Sequence, residues 1–382
     1  MKILVLGAGR MGLGAAYDLA HNSPDVQTVT VADIDLERAR AVVATVSGQK
    51  LAPAQIDVDD HAQVVGLMRG HDAAISCVTY FHNLALARAA IEARTHFCDL
   101  GGNNAVVASE LALDAQARSA GINLIPDCGL APGMVSVLAA HGAARFDELE
   151  AIHIRVGGLP QQPRPPLNYQ IVFSVEGLIN EYIERARVVR GGQIVEVESM
   201  TELEALSFPA PFERMEAFQT SGGTSTLPDT FHQQVQELDY KTIRYPGHCA
   251  QFKLLIDLGL AASEEIEVAD GVRVRPRRVL GEMLQRHLPA DEPDVVLIRL
   301  AFRGRIAGKD VRLRYDIIDR FDERTGLSAM MRTTAFPASI IAQMMARGET
   351  TERGAIPQER SVPPDKFVAA LAARNIQIKE HQ

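Results

Sequence analysis

The sequence contains no tryptophan and only four cysteines among 382 residues. Cys77, Cys98, Cys128 and Cys249 form no C-x-x-C pair, which argues against a structural zinc site and reads as reduced, buried thiols. No run of about 18 apolar residues occurs, so no membrane span is expected. Basic residues number 39 against 48 acidic ones, a net charge of −9 without a basic cluster, so nucleic acid and anionic membranes are poor partners. The eleven histidines include no H-x-x-x-H spacing, and no metal is expected. A strand-like run begins at residue 2, so no leader peptide is expected and the protein is assigned to the cytoplasm. What remains is ordinary globular composition, 47% hydrophobic and 23% charged, over a length that one core rarely serves.

The most informative segment is present at the start. An apolar run, Lys2 to Leu6, feeds directly into Gly7-Ala8-Gly9-Arg10-Met11-Gly12 and then into a helical pattern over 13–21. In a G-x-G-x-x-G turn the first glycine makes the tight bend. The second lets backbone approach a pyrophosphate, and the third lets helix and sheet pack closely. Phosphates then sit on the amides and positive dipole end of the helix, which makes Arg10 and Met11 binding candidates as well. Asp33 closes the next apolar run, where an acid accepts hydrogen bonds from the adenosine ribose and repels a 2′-phosphate. The expected cofactor is therefore NAD rather than NADP. Arg38, the nearest cation beyond it, is preceded by Asp33 and Asp35.

Short apolar runs at 2–6, 28–32, 51–57, 73–78, 96–99 and 122–125 alternate with helical patterns at 13–21, 35–47, 60–69, 83–93 and 108–119. That alternation predicts an α/β fold with a doubly wound parallel Rossmann sheet. Ligands bind beyond the carboxyl ends of such strands. Asp57, Val58, Val78, Thr79, Tyr80 and Gly101 are accordingly further cofactor candidates, and Asp99 and Asp127 face the same crevice. The pattern changes after a helix at 133–144. A proline-rich stretch, helices at 174–186, 250–260 and 276–287, a Gly/Ser/Thr loop at 219–228, a strand at 241–245 and a hairpin around Gly308 predict an α+β domain with a mostly antiparallel sheet. The expected division is a Rossmann domain at 1–132, a substrate and dimerisation domain at 133–335, and C-terminal helices at 336–382 returning to the first domain. These include an apolar helix at 338–347 and a last one at 365–374.

Several segments carry a resemblance. Gly157-Gly158-Leu159-Pro160, Pro166-Leu167-Asn168-Tyr169, Phe173-Ser174, Leu130-Ala131-Pro132-Gly133-Met134 and Tyr240 to Gly247 resemble the saccharopine reductases. Asp99-Leu100-Gly101-Gly102, Phe173 to Leu178, Thr220 to Leu227, Tyr240 to His248 and Arg332 to Ala335 resemble the lysine 6-dehydrogenase branch of that family. The resemblance covers nearly the whole chain. It implies an NAD-dependent oxidative deamination of the ε-amino group of L-lysine, giving the 6-semialdehyde, which cyclises to a piperideine carboxylate, and ammonia. It also implies a homodimer or higher homo-oligomer. The alternatives are reductive amination of the saccharopine or carboxynorspermidine type and, from another class, a non-catalytic NAD-binding regulator.

Roles can be set on this expectation. Arg244, beside Tyr245, suits a bidentate grip on a substrate carboxylate. Glu176 stands where the resemblance implies an arginine in saccharopine reductases, and an acid there suits a substrate amine. Tyr169 and Thr224 are placed with the substrate. An ammonium must lose a proton before its carbon gives up hydride, which calls for a base of near-neutral pKa. His248 is the first candidate, with Asp99 and Asp127 to orient it, bind the amine or hold the ribose.

Overall fold

The computed structural model describes residues 1–382, and the chain divides into two compact units. The first comprises Met1–Arg145, Ser225–Leu227 and Met331–Gln377, and the second Phe146–Thr224, Pro228–Met330 and Ile378–Gln382.

The first unit is built on a seven-stranded sheet in which every pairing is parallel. Its strands are β1 (Lys2–Leu6), β2 (Thr28–Asp33), β3 (Leu51–Gln55), β4 (Ala73–Ser76), β5 (His96–Asp99), β6 (Asn123–Ile125) and the short edge strand Gly354–Ala355. The order runs from Gly354–Ala355 through β6, β5, β4, β1 and β2 to β3. All four residues of β4 are buried, because helices cover both faces of a parallel sheet. The edge strand β3 is only partly buried and contains Pro53, which an edge tolerates since it has no amide to donate.

Two sequence boundaries shift here. The helix expected to leave this unit, Met134–Ala143, stays in it, buried on almost every side. The apolar helix expected at 338–347 begins earlier, at Ala329, and runs to Ala346 with Pro337 inside. Proline and the polar run Arg332-Thr333-Thr334 mask that helix in the sequence, because propensity is read locally and tertiary packing overrides it.

The second unit holds a mixed sheet: β7 (Glu148–Pro160), β8 (Ala186–Arg190), β9 (Gln193–Val197), β10 (Glu204–Leu206), β11 (Met215–Gln219), β12 (Glu237–Arg244), a separate hairpin β13 (Ile266–Ala269) and β14 (Val272–Val274), then β15 (Asp294–Ile306) and β16 (Lys309–Arg320). The main path is β10-β11-β12-β7-β15-β16, continued by Lys379–His381. The β12–β7 pair is parallel and the others antiparallel. β15 and β16 pair from Val295↔Arg320 to Ile306↔Lys309 across Ala307 and Gly308, both at positive φ (50° and 74°). That is the two-residue type I′ turn whose twist matches the strands. Alternation along β12 then decides function: Tyr240, Thr242 and Arg244 point to one face, Asp239, Lys241 and Ile243 to the other.

Candidate functional site

Gly7 adopts φ +102°, and a Cβ there would lie 2.9 Å from the Cys77 backbone. A Cβ on Gly12 would lie 1.9 Å from the Gly7 carbonyl oxygen, so this helix start admits glycine alone. At Gly9 nothing lies within 4 Å of where a Cβ would project. Gly9 is also the N-cap of helix α1 (Arg10–His21) and has no side chain to cap it. An uncapped helix N-terminus under open space is what a pyrophosphate requires. Half-buried Asp33, at the end of β2, accepts the Ala8 amide at 2.7 Å through Oδ2 and the Asp35 amide at 3.0 Å through Oδ1. It thereby fixes the glycine turn while keeping lone pairs for a ribose. The residues present thus fit a dinucleotide. Around this crevice, Asp57 accepts the Asp59 amide, Val58 and Val78 pack against the core, and Thr79 and Tyr80 begin a short 3₁₀ turn.

Beyond β5 and β6 lies a buried carboxyl cluster. Asp99 Oδ1 accepts the amides of Gly101 (2.7 Å) and Asp127 (3.3 Å). Asp99 Oδ2 and Glu110 Oε2 are both buried and meet no donor, and a proton shared between the two carboxyls satisfies them. Burial and the neighbouring Asp99 and Asp127 charges push Glu110 up to about 10, so it supplies that proton; Asp99 is raised to about 6 by burial. Asp127 is raised to about 8, by burial first and then by Asp99. It sits at φ +59°, a costly conformation for a non-glycine residue, and accepts a short hydrogen bond from the Ser225 hydroxyl. A Cβ on Gly101 would lie 2.1 Å from Asp127 Oδ1, so that glycine is needed for the carboxyl to face the turn beyond β5. Asp127 carries a near-neutral proton where the sequence looked for one in His248.

In the second unit, Arg244 is 3% exposed. Its Nε donates to Tyr182 Oη at 2.8 Å and one terminal nitrogen to its own strand's Ile243 carbonyl, while the guanidinium lies over the Tyr169 ring at 4.7 Å. Tyr182 in turn meets His248 Nε2 at 3.0 Å, and His248 Nδ1 meets the Leu167 carbonyl at 3.0 Å. A carbonyl only accepts, so Nδ1 carries the hydrogen and Nε2 accepts from Tyr182. The His248 ring is boxed by Tyr169, Tyr182, Phe218 and Phe252. Burial, then the Arg244 charge, push its pKa down to about 3. This corrects the expectation of a base: both ring nitrogens are committed, the imidazole is neutral, and what it does is hold Tyr182 against Arg244.

Glu176 is also placed differently from expectation. It lies on the exposed face of helix Val175–Ile183 and pairs with Arg277 at 2.7 Å. Five residues further on, about 140° around the helix at roughly 100° per residue, Glu181 takes the position near Arg244 instead. Thr224 spends its hydroxyl on the Arg187 carbonyl at 3.0 Å, tying its loop to β8. Sequence reasoning missed Glu110, Glu181, Tyr182 and Ser225. Tyr182 shares the apolar stripe of Val175, Leu178 and Ile179 and reads as core; Ser225 lies in the Gly/Ser/Thr loop without standing out within it, and nothing in the local pattern marks Glu110 or Glu181.

Residues 129–376 match the saccharopine dehydrogenase C-terminal domain and residues 3–125 the saccharopine dehydrogenase NADP binding domain. The chain belongs to the saccharopine dehydrogenase family. It is 28% identical over 248 residues to a saccharopine dehydrogenase [NADP(+), L-glutamate-forming] of Pyricularia oryzae, covering 62% of this chain and 53% of that protein, so the chain matches about half the length of this relative. It is 24% identical to a carboxynorspermidine synthase of Vibrio cholerae over 97% of this chain and 94% of that one. Among solved structures, the fold is shared with apo saccharopine dehydrogenase (L-Glu forming) from Saccharomyces cerevisiae, at TM-score 0.81 and 20% identity over 100% of this chain and 99% of that chain. The stretch that matches the NADP binding domain coincides with the parallel Rossmann sheet of the first unit. No helix is long and apolar enough to cross a membrane.

Proposed function

We propose that this saccharopine dehydrogenase family member is an NAD-dependent amine dehydrogenase that oxidatively deaminates the ε-amino group of L-lysine. The observation that carries the reading is Arg244. Three cations are buried in the second unit, and two have carboxylate partners: Arg155 pairs with Glu204 and Asp239, and Lys241 with Glu204. Arg244 has no carboxylate partner, only tyrosines, a carbonyl and the electrostatic influence of Glu181. A buried unpaired charge costs several kcal/mol, roughly, and a protein retains one for a ligand that neutralises it. The planar fork suits a carboxylate.

The bound nicotinamide supplies the hydride acceptor. Asp127, with a pKa near 8, takes the proton that leaves the ε-ammonium, so that the amine reacts in its neutral form. Burial first, and then the Asp99 charge, hold Asp127 in that titration range. Loss of hydride from the ε-carbon of the neutral amine gives an iminium ion, which water converts to the aldehyde and ammonium. Tyr182 and His248 orient Arg244, and Tyr169 supports its face.

The test is a panel of amines with the purified protein and NAD. L-Lysine is expected to yield NADH and ammonia in equal amounts. Release of an amino acid from saccharopine without ammonia establishes the alternative, reductive amination run in reverse. NAD preference rests on Asp33. Asp33→Ala is expected to lower the ratio of kcat/KM for NAD over NADP by about tenfold or more, roughly 1.4 kcal/mol; an unchanged ratio removes the assignment.

A further inference from the structure

We propose that Ser225 is a positioning residue for Asp127: its hydroxyl occupies Oδ2 and leaves Oδ1 as the oxygen that takes the proton of the substrate amine. The proposal rests on the amine-dehydrogenase reading, in which Asp127 is the base, and adds the group that makes one of its two oxygens the reactive one.

Ser225 and Asp127 are both buried, at 4% and 1% exposure, and both have left-handed backbones, φ +43° and +59°. Glycine adopts that conformation without strain and serine does not. The same loop uses glycine at positive φ three positions earlier, in Gly222. A serine at 225 is therefore the costlier residue for the turn. What it adds is the hydroxyl, which donates a short hydrogen bond to Asp127 Oδ2. The next two residues hold this contact in place. Thr226 Oγ1 lies 2.9 Å and 3.1 Å from the two carboxylate oxygens of Glu359 and donates to them, and the Leu227 side chain is fully buried. Ser225, Thr226 and Leu227 belong to the first unit, as Asp127 and Glu359 do.

The surroundings show why Asp127 needs a donor. The titratable groups around it are three acids and a thiol: Asp99 at the end of β5, Glu110 on helix Asn104–Leu111, Glu359 on helix Gln358–Ser361, and the adjoining Cys128. None of them favours its charged form. The Ser225 hydroxyl does, because a donor to a carboxylate stabilises the anion. Oδ1 has no donor and lies over Gly101, where a Cβ would stand 2.1 Å from it. With Oδ2 occupied, the N–H bond of the substrate ammonium breaks as an O–H bond forms at Oδ1. That oxygen faces the turn beyond the carboxyl end of β5, the side on which such sheets bind their ligands.

Ser225→Gly separates the backbone from the hydroxyl, since it relieves the positive φ while removing the donor. A melting temperature within about 5 °C of wild type shows that the variant is folded. With L-lysine and NAD it is expected to lower kcat about tenfold or more, both KM values staying within about twofold of wild type, and to move the ascending limb of the kcat–pH profile up by about half a pH unit or more. Ser225→Thr, which keeps the hydroxyl, is expected to recover most of kcat and the wild-type limb. Unchanged kcat and an unmoved limb in Ser225→Gly overturn the proposal and assign the hydroxyl to loop anchorage. Melting temperatures from pH 5 to 9 read the same contact without turnover. Removing the donor raises the folded pKa of Asp127 further above the ordinary value of 3.8, so stability is expected to keep falling to a higher pH than in wild type. That extension without ammonia from L-lysine leaves the Ser225–Asp127 pairing standing and overturns the reaction. Superimposable melting curves with ammonia formed do the reverse.

Discussion

Arg244→Ala is expected to lower kcat/KM for L-lysine by about 10²–10³-fold, equivalent to roughly 3–4 kcal/mol of lost charge-assisted binding, with the KM for NAD unchanged. The two constants separate because Arg244 belongs to the second unit and the dinucleotide fit to the first. Arg244→Lys is expected to recover only part of the loss. An ammonium is a point charge without the fork, and it cannot hold Tyr182 from the Nε position while two other nitrogens face a carboxylate. Stability gives an independent check. A structural arginine lowers the melting temperature when removed. Here the guanidinium is desolvated without a carboxylate partner, so Arg244→Met is expected to leave the melting temperature unchanged or raise it while activity falls. Such a trade marks a group retained for function at the expense of stability. A clear fall in melting temperature with KM for lysine unaffected assigns Arg244 to the scaffold.

Asp127→Asn carries the second large effect. As the proton acceptor, Asp127 is expected to contribute about 10²–10⁴-fold to kcat, the range for positioned general acid–base groups. The same substitution is expected to stabilise the protein at alkaline pH. The Asp127 carboxyl has a folded pKa of about 8, well above the ordinary carboxylate value of 3.8 that an unfolded chain retains. Between those values the native state binds the additional proton, so its stability is full below about pH 4 and is lost as pH rises through about 8. Asparagine removes that titration. Melting temperatures measured from pH 5 to 9 are expected to fall less steeply in Asp127→Asn than in wild type. Glu110, raised to about 10, keeps a residual slope of the same sign. Parallel curves for the two proteins would show that Asp127 titrates at an ordinary carboxylate value and is no base for neutral pH.

Much of this protein is legible in its sequence because the relevant interactions are local. The G-x-G-x-x-G turn, the helix that follows it and Asp33 lie within one short βαβ stretch, where glycine sterics and strand periodicity act between near neighbours. Arg244 stands out for a local reason too: a guanidinium directly beside an aromatic ring, Tyr245, at the end of a strand. Periodicity alone does not disclose what surrounds a side chain. Glu176 and Glu181 stand on the same short helix with the same chemistry, and only the way that helix packs sends one to solvent beside Arg277 and the other toward Arg244.

His248 and Asp127 show the same division with greater consequence. The composition of the chain makes histidine the natural base at neutral pH. Tertiary packing reverses the assignment by enclosing His248 in four aromatic rings beside a cation and burying Asp127 against two other carboxyls. Sequence by itself determined the dinucleotide fold, the order of its elements and the kinds of group available for chemistry. Which of those groups lack partners, and where their protons reside, was decided by the tertiary structure, because desolvation and charge pairing depend on neighbours that the chain brings together from distant positions.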